Sequence, residues 1–200
     1  MKVVLEGLGH QFPGQPFLFQ NLTAELHPDR VYALVGPSGS GKSTLLSLVA
    51  GWLPPTTGTV ARLGVERVRW VFQNPHGVAG RTAVDHVALP FLVQGLGRRE
   101  ATRRATALLE EFELAHVAAR PFSALSGGEA QRLMLARGIA SSPDLFLVDE
   151  PTAQLDTRTA GSVNRTLGAL AARGTVVVIA THDPHTRESC TDVIDLTEFA

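Results

Sequence analysis

The sequence predicts an α/β fold around a mainly parallel sheet, and three observations predict it. Short, strongly apolar runs recur along the chain. Helical patterns separate them. Glycine-rich or acidic turns follow several of the runs. The runs are Val31–Val35, Arg69–Phe72, Leu145–Val148, Thr175–Ala180 and Val193–Leu196, each with the length and apolar, partly β-branched character of a buried strand. Between them, Ala101, Ala105, Leu108, Leu109 and Phe112 fall on one helical face, as do Val163, Leu167 and Leu170. Arg98, Arg99, Arg103 and Arg104 lie near the start of the first of these helices, where a solvated face is expected. Strands alternating with helices give a parallel sheet covered on its faces. In such sheets ligands bind beyond the carboxyl ends of the strands.

The bulk properties narrow the function classes. The 200 residues suit one domain. A net charge of −1 supplies no basic field to draw the chain to nucleic acid or anionic lipid. The single cysteine, Cys190, excludes a disulfide or a cysteine-built zinc site within the chain. No apolar run approaches the ~18 residues a spanning helix needs, and Met1–Gly7 carries no signal-peptide core. Work at a membrane therefore requires other subunits that span it. Among the 18 Lys and Arg residues only Lys2 and Lys42 are lysines. A lysine kept at position 42 marks a place for a compact ammonium rather than a guanidinium.

That lysine stands in Gly36-Pro37-Ser38-Gly39-Ser40-Gly41-Lys42-Ser43, a phosphate-loop pattern. The Val31–Val35 run precedes it, and a helical pattern from Thr44 follows. Glycines let the backbone curl so that its N–H groups face phosphate oxygens, and the helix N-terminus adds partial positive charge. Lys42 is expected at the β- and γ-phosphates of ATP, and Ser43 on Mg²⁺. The Leu145–Val148 run ends in Asp149-Glu150. Asp149 is placed to hold Mg²⁺ through its waters, and Glu150 to polarise the attacking water as general base.

Leu125-Ser126-Gly127-Gly128-Glu129-Ala130-Gln131-Arg132, followed by Leu135-Ala136-Arg137, resembles the signature motif of the ATP-binding cassette (ABC) family. Ser126 with two glycines opens a helix, so a hydroxyl, bare N–H groups and the helix dipole converge on an anion. Ser126 with Glu129 also reads as a capping box. The resemblance covers essentially the whole chain. It implies a P-loop NTPase with a reduced antiparallel β part and a helical signature subdomain inserted at about residues 74–140 of a single domain, 1–200. It implies that the signature residues Ser126, Gly127 and Gly128 serve an ATP held by a second cassette in a homodimer or heterodimer. By the same resemblance, Gln73 is the loop glutamine that contacts Mg²⁺ and senses the membrane partner. Asp156 is the loop aspartate that communicates across the dimer. His182 is the switch histidine that binds the γ-phosphate and orients Glu150, and Phe12 is the aromatic that stacks on adenine.

The chain departs from the family pattern in places. Only 14 residues separate Gly58 from Gln73, which implies the reduced β part, and 18 follow His182, which implies no regulatory C-terminal domain. Gly138 stands where the family usually has Ala, and Asn74–Gly80 lacks the bulky apolar residues common there. The stretches Val87–Pro90, Glu150–Asp156 and Ala180–Asp183 look most like the lipoprotein-release and macrolide-export branch. The resemblance therefore implies an ATPase docked on transmembrane permease subunits at the cytoplasmic face of the cell membrane. The alternative, a soluble cassette ATPase of DNA maintenance or translation, would carry coiled-coil or zinc insertions or a second cassette. Ser43 and Ser126 lie 83 residues apart, which leaves no room for such insertions.

Overall fold

The computed structural model describes residues 1–200. In chain order the strands are β1 (Lys2–Gln11), β2 (Phe17–Leu26), β3 (Val31–Val35), β4 (Thr57–Leu63), β5 (Val68–Val71), β6 (Leu145–Asp149), β7 (Val176–Ala180) and β8 (Asp192–Asp195). The helices are α1 (Lys42–Ala50), α2 (Ala83–Val93), α3 (Arg98–Glu111), α4 (Gly127–Ala140), α5 (Thr157–Ala171) and α6 (Pro184–Glu188). A five-stranded sheet runs β5-β6-β7-β3-β8, all pairs parallel. A smaller sheet runs β2-β1-β4, both pairs antiparallel.

Side chains alternate across a strand, and the parallel sheet uses this to build two cores. Leu145 and Leu147 of β6, with Val176, Val178 and Ala180 of β7, join Leu45, Leu46, Leu48 and Val49 of α1 and the inner face of the small sheet. Phe146 and Val148, with Val177 and Ile179, join the buried faces of α2, α3, α4 and α5. Strands β3, β6 and β7 are buried along their whole length. Buried on both faces, they must be apolar throughout, which is why they show as continuous runs rather than alternating ones.

The five expected runs are the five strands of the parallel sheet, each displaced by no more than one residue at an end. Leu196 leaves β8 because Asp195 turns the chain, its Oδ1 accepting from Thr197 N at 3.0 Å. Phe112 lies just past the end of α3 as its C-cap. Glu100 pairs with Arg103 at 2.6 Å and Arg104 at 2.8 Å on an exposed face, while Arg98 and Arg99 are exposed. The arginine cluster is a solvated helix face, as expected.

The small sheet carries an irregularity the sequence does not announce. Between Leu5 and Leu8 the β1–β2 register shifts, and Gly7 sits at φ 54°. The bulge turns Leu8 back into the core after Val3 and Leu5, which are buried at alternate positions.

Candidate active site

Four loops converge where β5, β6, β7 and β3 end, and these strands are neighbours in the sheet. The chain leaves β3 into the phosphate loop, β6 into Glu150, β7 into Thr181-His182, and β5 toward Gln73. Residues far apart in sequence therefore meet at one sheet edge. A cleft of about 730 Å³ is lined by Phe12, Leu18, Gln73, Asp149, Glu150 and His182, and by all of Gly36–Thr44 except Ser40. The Ser40 side chain points inward, its Oγ 2.6 Å from where a Cβ on Gly36 would lie.

Local chemistry leaves this loop open to an anion. Gly39 and Gly41 adopt φ 83° and 96°, which side-chain-bearing residues rarely reach. Gly41 is also the N-cap of α1, with no side-chain cap and no acidic residue in the first turn. The first N–H groups of α1 are therefore free of local acceptors from side chains. Lys42 Nζ donates to Gly36 O at 2.7 Å and Pro37 O at 3.0 Å. Of the three N–H bonds of an ammonium, one remains for a phosphate oxygen.

Ser43 Oγ donates to Asp149 Oδ2 at 2.7 Å. Burial pushes the Asp149 carboxyl above its usual range. The Ser43 hydrogen bond and the Lys42 charge oppose that, and the neighbouring Glu150 charge adds to it. A hydroxyl and a carboxylate side by side at the mouth of a phosphate loop are hard oxygen donors of the kind Mg²⁺ takes alongside substrate phosphates and water. No group of three or more His, Cys, Asp or Glu side chains is placed to hold a metal alone.

Glu150 is buried, whereas His182 is largely exposed. His182 Nδ1 lies 2.7 Å from Glu150 Oε1. An ionised carboxylate only accepts, so the imidazole is the donor. The Thr181 hydroxyl, fully buried, reaches Glu150 Oε2 at 3.5 Å. Glu150 sits at φ 49° while its N–H donates to Ala180 O at 2.9 Å. This conformation is uncommon for a non-glycine residue, and the bond to β7 helps to hold it.

Ser126, Gly127, Gly128 and Asp156 do not line this cleft. Ser126 N-caps α4 in a full capping box: Ser126 N donates to Glu129 Oε2 at 2.7 Å, and Glu129 N donates to Ser126 Oγ at 3.3 Å. A Cβ on Gly127 would collide with the Gln154 side chain, and one on Gly128 would lie 3.1 Å from Leu155. The glycines let the signature turn press against the loop before Asp156. Asp156 N-caps α5 through Thr159 N at 3.0 Å and Thr159 Oγ1 at 2.7 Å, and the Thr159 bonds hold its carboxyl below the usual range. Phe12 is exposed over the cleft, edge-on to His10 at 5.0 Å. Leu18 and Thr181 are site residues that sequence reasoning missed. Leu18 hides between two phenylalanines, and Thr181 is marked only by standing before His182.

A family model described as ABC transporter matches residues 19–153. The chain belongs to this family, as an ATP-binding subunit. The ATP-binding protein LolD of the lipoprotein-releasing system of Pseudomonas syringae pv. tomato is 38% identical over 187 residues, 86% of this chain and 82% of that protein. The uncharacterized ABC transporter ATP-binding protein YknY of Bacillus subtilis is 33% identical over 192 residues, 88% and 83% of the two chains. The dimeric structure of the ATP-binding cassette MJ0796 bound to ADP and Pi, in a post-hydrolysis state, superposes with a TM-score of 0.86 at 27% identity, covering 96% of this chain and 93% of that one. The family accounts for the layout of the four loops and for a signature held outside the cleft.

Proposed function

We propose that this ABC cassette hydrolyses Mg-ATP as a head-to-tail dimer with a second cassette and so powers transmembrane permease subunits at the cytoplasmic face of the membrane. The observation that carries this reading is the Glu150–His182 pair, 2.7 Å apart, beside Lys42 and Ser43 in one cleft. ATP lies with its phosphates in the Gly36–Ser43 turn and its base toward Phe12. Ser43 and Asp149, with Gln73 near, would hold Mg²⁺, which would supply charge neutralisation at the phosphates. Lys42 orients the β- and γ-phosphates. Glu150 takes the proton of the attacking water, and His182 holds that carboxylate in place. Ser126, Gly127 and Gly128 of one cassette close on the γ-phosphate in the other, as donors aimed at transition-state charge. Asp156 lies beside that closing surface.

No helix is long and apolar enough to cross a membrane. Support for a membrane partner comes from the surface. A second cleft of about 530 Å³ lies between β5 and the α2–α4 pair, lined by Trp70, Phe72, Leu89, Pro90, Val93 and Met134 together with Arg67, Arg69 and Arg137. Val93 and Phe72 are 80% and 43% exposed, an apolar surface that calls for a partner. LolD's likeness favours the lipoprotein-release and macrolide-export branch.

The test of the catalytic reading is Lys42→Ala. Calorimetry is expected to show Mg-ATP affinity falling by about 100-fold or more, the loss of a charge-assisted contact in a partly buried site. Unchanged affinity would show that the phosphate-loop assignment is wrong.

A further inference from the structure

We infer that His86, neutral and with its proton on Nδ1, is a positioning residue that ties the segment after Gln73 to the segment that leads into Ser126. This rests on the proposed function, in which a permease docks at the cleft beside β5 and α2, which Asn74, Pro75 and His76 also line, and the second segment carries the signature to the partner's ATP. His86 lies on the first turns of α2 and is 1% exposed. Its Nδ1 is 2.8 Å from Thr82 O, a carbonyl that only accepts, so Nδ1 carries hydrogen. Its Nε2 accepts from Val78 N at 3.0 Å, so Nε2 must be bare. One tautomer of the neutral ring satisfies both bonds, and the protonated ring satisfies only one.

The imidazole packs against Phe122, with centroids 5.5 Å apart and ring planes tilted by 38°. Phe122 in turn leaves no room at Gly77, where a Cβ would come within 2.5 Å of the ring. Around this contact the two segments are stitched by backbone bonds: Ser123 N to Ala79 O at 3.1 Å, Phe122 N to Arg81 O at 2.9 Å, and Ala83 N to Arg120 O at 3.0 Å. Leu125 N then donates to Phe122 O at 3.1 Å, immediately before Ser126. A push on Val78 is therefore delivered through His86 and Phe122 to the start of the signature. Removing the ring would leave the Val78 amide unpaired and the Phe122 face unsupported.

The charge environment keeps the ring neutral. Burial pushes the His86 pKa below the ordinary histidine value. Arg137 from α4 and Arg81 from the preceding loop push it the same way, while Thr82 O and Asp85 on α2 oppose them. The Val78 bond is thus intact at neutral pH and above, and is lost only as pH falls through that lowered value.

The experiment uses the full chain with Glu150→Gln as parent, since that variant is expected to dimerise on ATP. Light scattering reads the ATP-dependent dimer from about pH 8 to about pH 5, and calorimetry reads ATP affinity separately. His86→Leu is expected to keep ATP affinity but weaken dimerisation about tenfold, the effect of one buried unpaired amide. His86→Gln, whose side-chain oxygen can accept from Val78 N, is expected to restore the dimer and to flatten the acid limb seen with histidine. Gly77→Ala, which strikes the Phe122 ring directly, is expected to repeat the His86→Leu defect and covers the case in which His86→Leu fails to fold. The inference is overturned if His86→Leu and Gly77→Ala both dimerise like the parent, or if the acid limb persists unchanged in His86→Gln. A parent that never dimerises on ATP would instead overturn the dimer reading and this inference with it.

Discussion

Asp149 and Glu150 are adjacent, both nearly buried, and both within one cleft, so their charges work against each other before any ligand arrives. Burial first, and Glu150 next, raise the Asp149 pKa. A carboxyl whose pKa rises on folding favours the protonated form in the fold. Its contribution to stability is full below the ordinary aspartate value and is lost as pH rises through the raised one. At neutral pH the ionised Asp149 therefore costs stability, and Asp149→Asn should remove that cost while still accepting from Ser43. The expected gain is about 1 kcal/mol, or roughly 2–4 °C in Tm for a chain of this size. The gap between variant and parent should close as pH falls below the ordinary aspartate range. Mg²⁺-dependent ATP hydrolysis should fall by at least about 10–100-fold, since the carboxylate charge and second oxygen available to Mg²⁺ are lost. Thermal unfolding across pH, paired with phosphate release, checks both arms. A destabilised variant would mean that the Ser43–Asp149 bond outweighs the burial of charge.

At the scale of elements, the packing of α4 on β6 explains one departure from the family pattern. A Cβ on Gly138 would approach Phe146 Cε2 to 2.5 Å and Val71 Cγ2 to 3.4 Å. Here the large ring of β6 fills the space an alanine methyl would need. Gly138→Ala gains about 1 kcal/mol of helix propensity but overpacks a buried aromatic, at about 1–3 kcal/mol, so the net effect should be destabilising. In a Phe146→Leu background the same change should become neutral or stabilising, and denaturant unfolding of the four proteins gives the coupling directly. Additive effects would show that the helix simply shifts. The same logic separates what was readable in the sequence from what was not. Strands β3, β5, β6, β7 and β8 stand out because four of the five are apolar through most of their length and each lies within a βα pattern. The phosphate loop and Asp149-Glu150 are readable because glycine, lysine and carboxylates stand there at spacings that phosphate chemistry requires, and the signature through its resemblance to the ABC family. Strands β1, β2 and β4 carry no such signal: the bulge at Gly7 breaks the alternation in β1, and no residue of β4 is fully buried. His86 was silent for another reason. Its two partners come from a loop and a helix start, and its stacking partner Phe122 is far along the chain, so only the folded molecule brings them together.

For the whole molecule, the two surfaces proposed to meet other chains offer separate readouts. The chain's two tryptophans cluster with Phe72: centroids are 5.0 Å apart for Trp52–Trp70, 5.9 Å for Trp52–Phe72 and 4.9 Å for the stacked Trp70–Phe72 pair; Trp70 and Phe72 line the partner cleft, and Trp52 is 63% exposed. Docking of a permease should bury them and shift their emission to shorter wavelength, whereas ATP alone should change it little. An emission shift on ATP with none on adding detergent-solubilised permease would place the docking surface elsewhere. The cassette–cassette surface is tested through the signature. Glu150→Gln keeps the shape of the water site and the contact with His182 but removes the base, so hydrolysis should fall by about 10²–10⁴-fold while ATP binding survives. ATP that is bound and not consumed holds the dimer closed. The variant should therefore run as an ATP-dependent dimer in size-exclusion chromatography with light scattering, and the wild-type chain mostly as a monomer. Ser126 lies on the surface at the N-terminus of α4, so Ser126→Arg adds bulk and a cation where the partner's γ-phosphate would approach. The guanidinium cannot reproduce the short hydroxyl contact in that space. Adding it to Glu150→Gln should dissolve the dimer and leave ATP affinity unchanged, because the chain's own nucleotide sits in the cleft at Lys42 and away from Ser126. A double variant that still dimerises on ATP would remove Ser126 from the interface and leave it only the capping of α4.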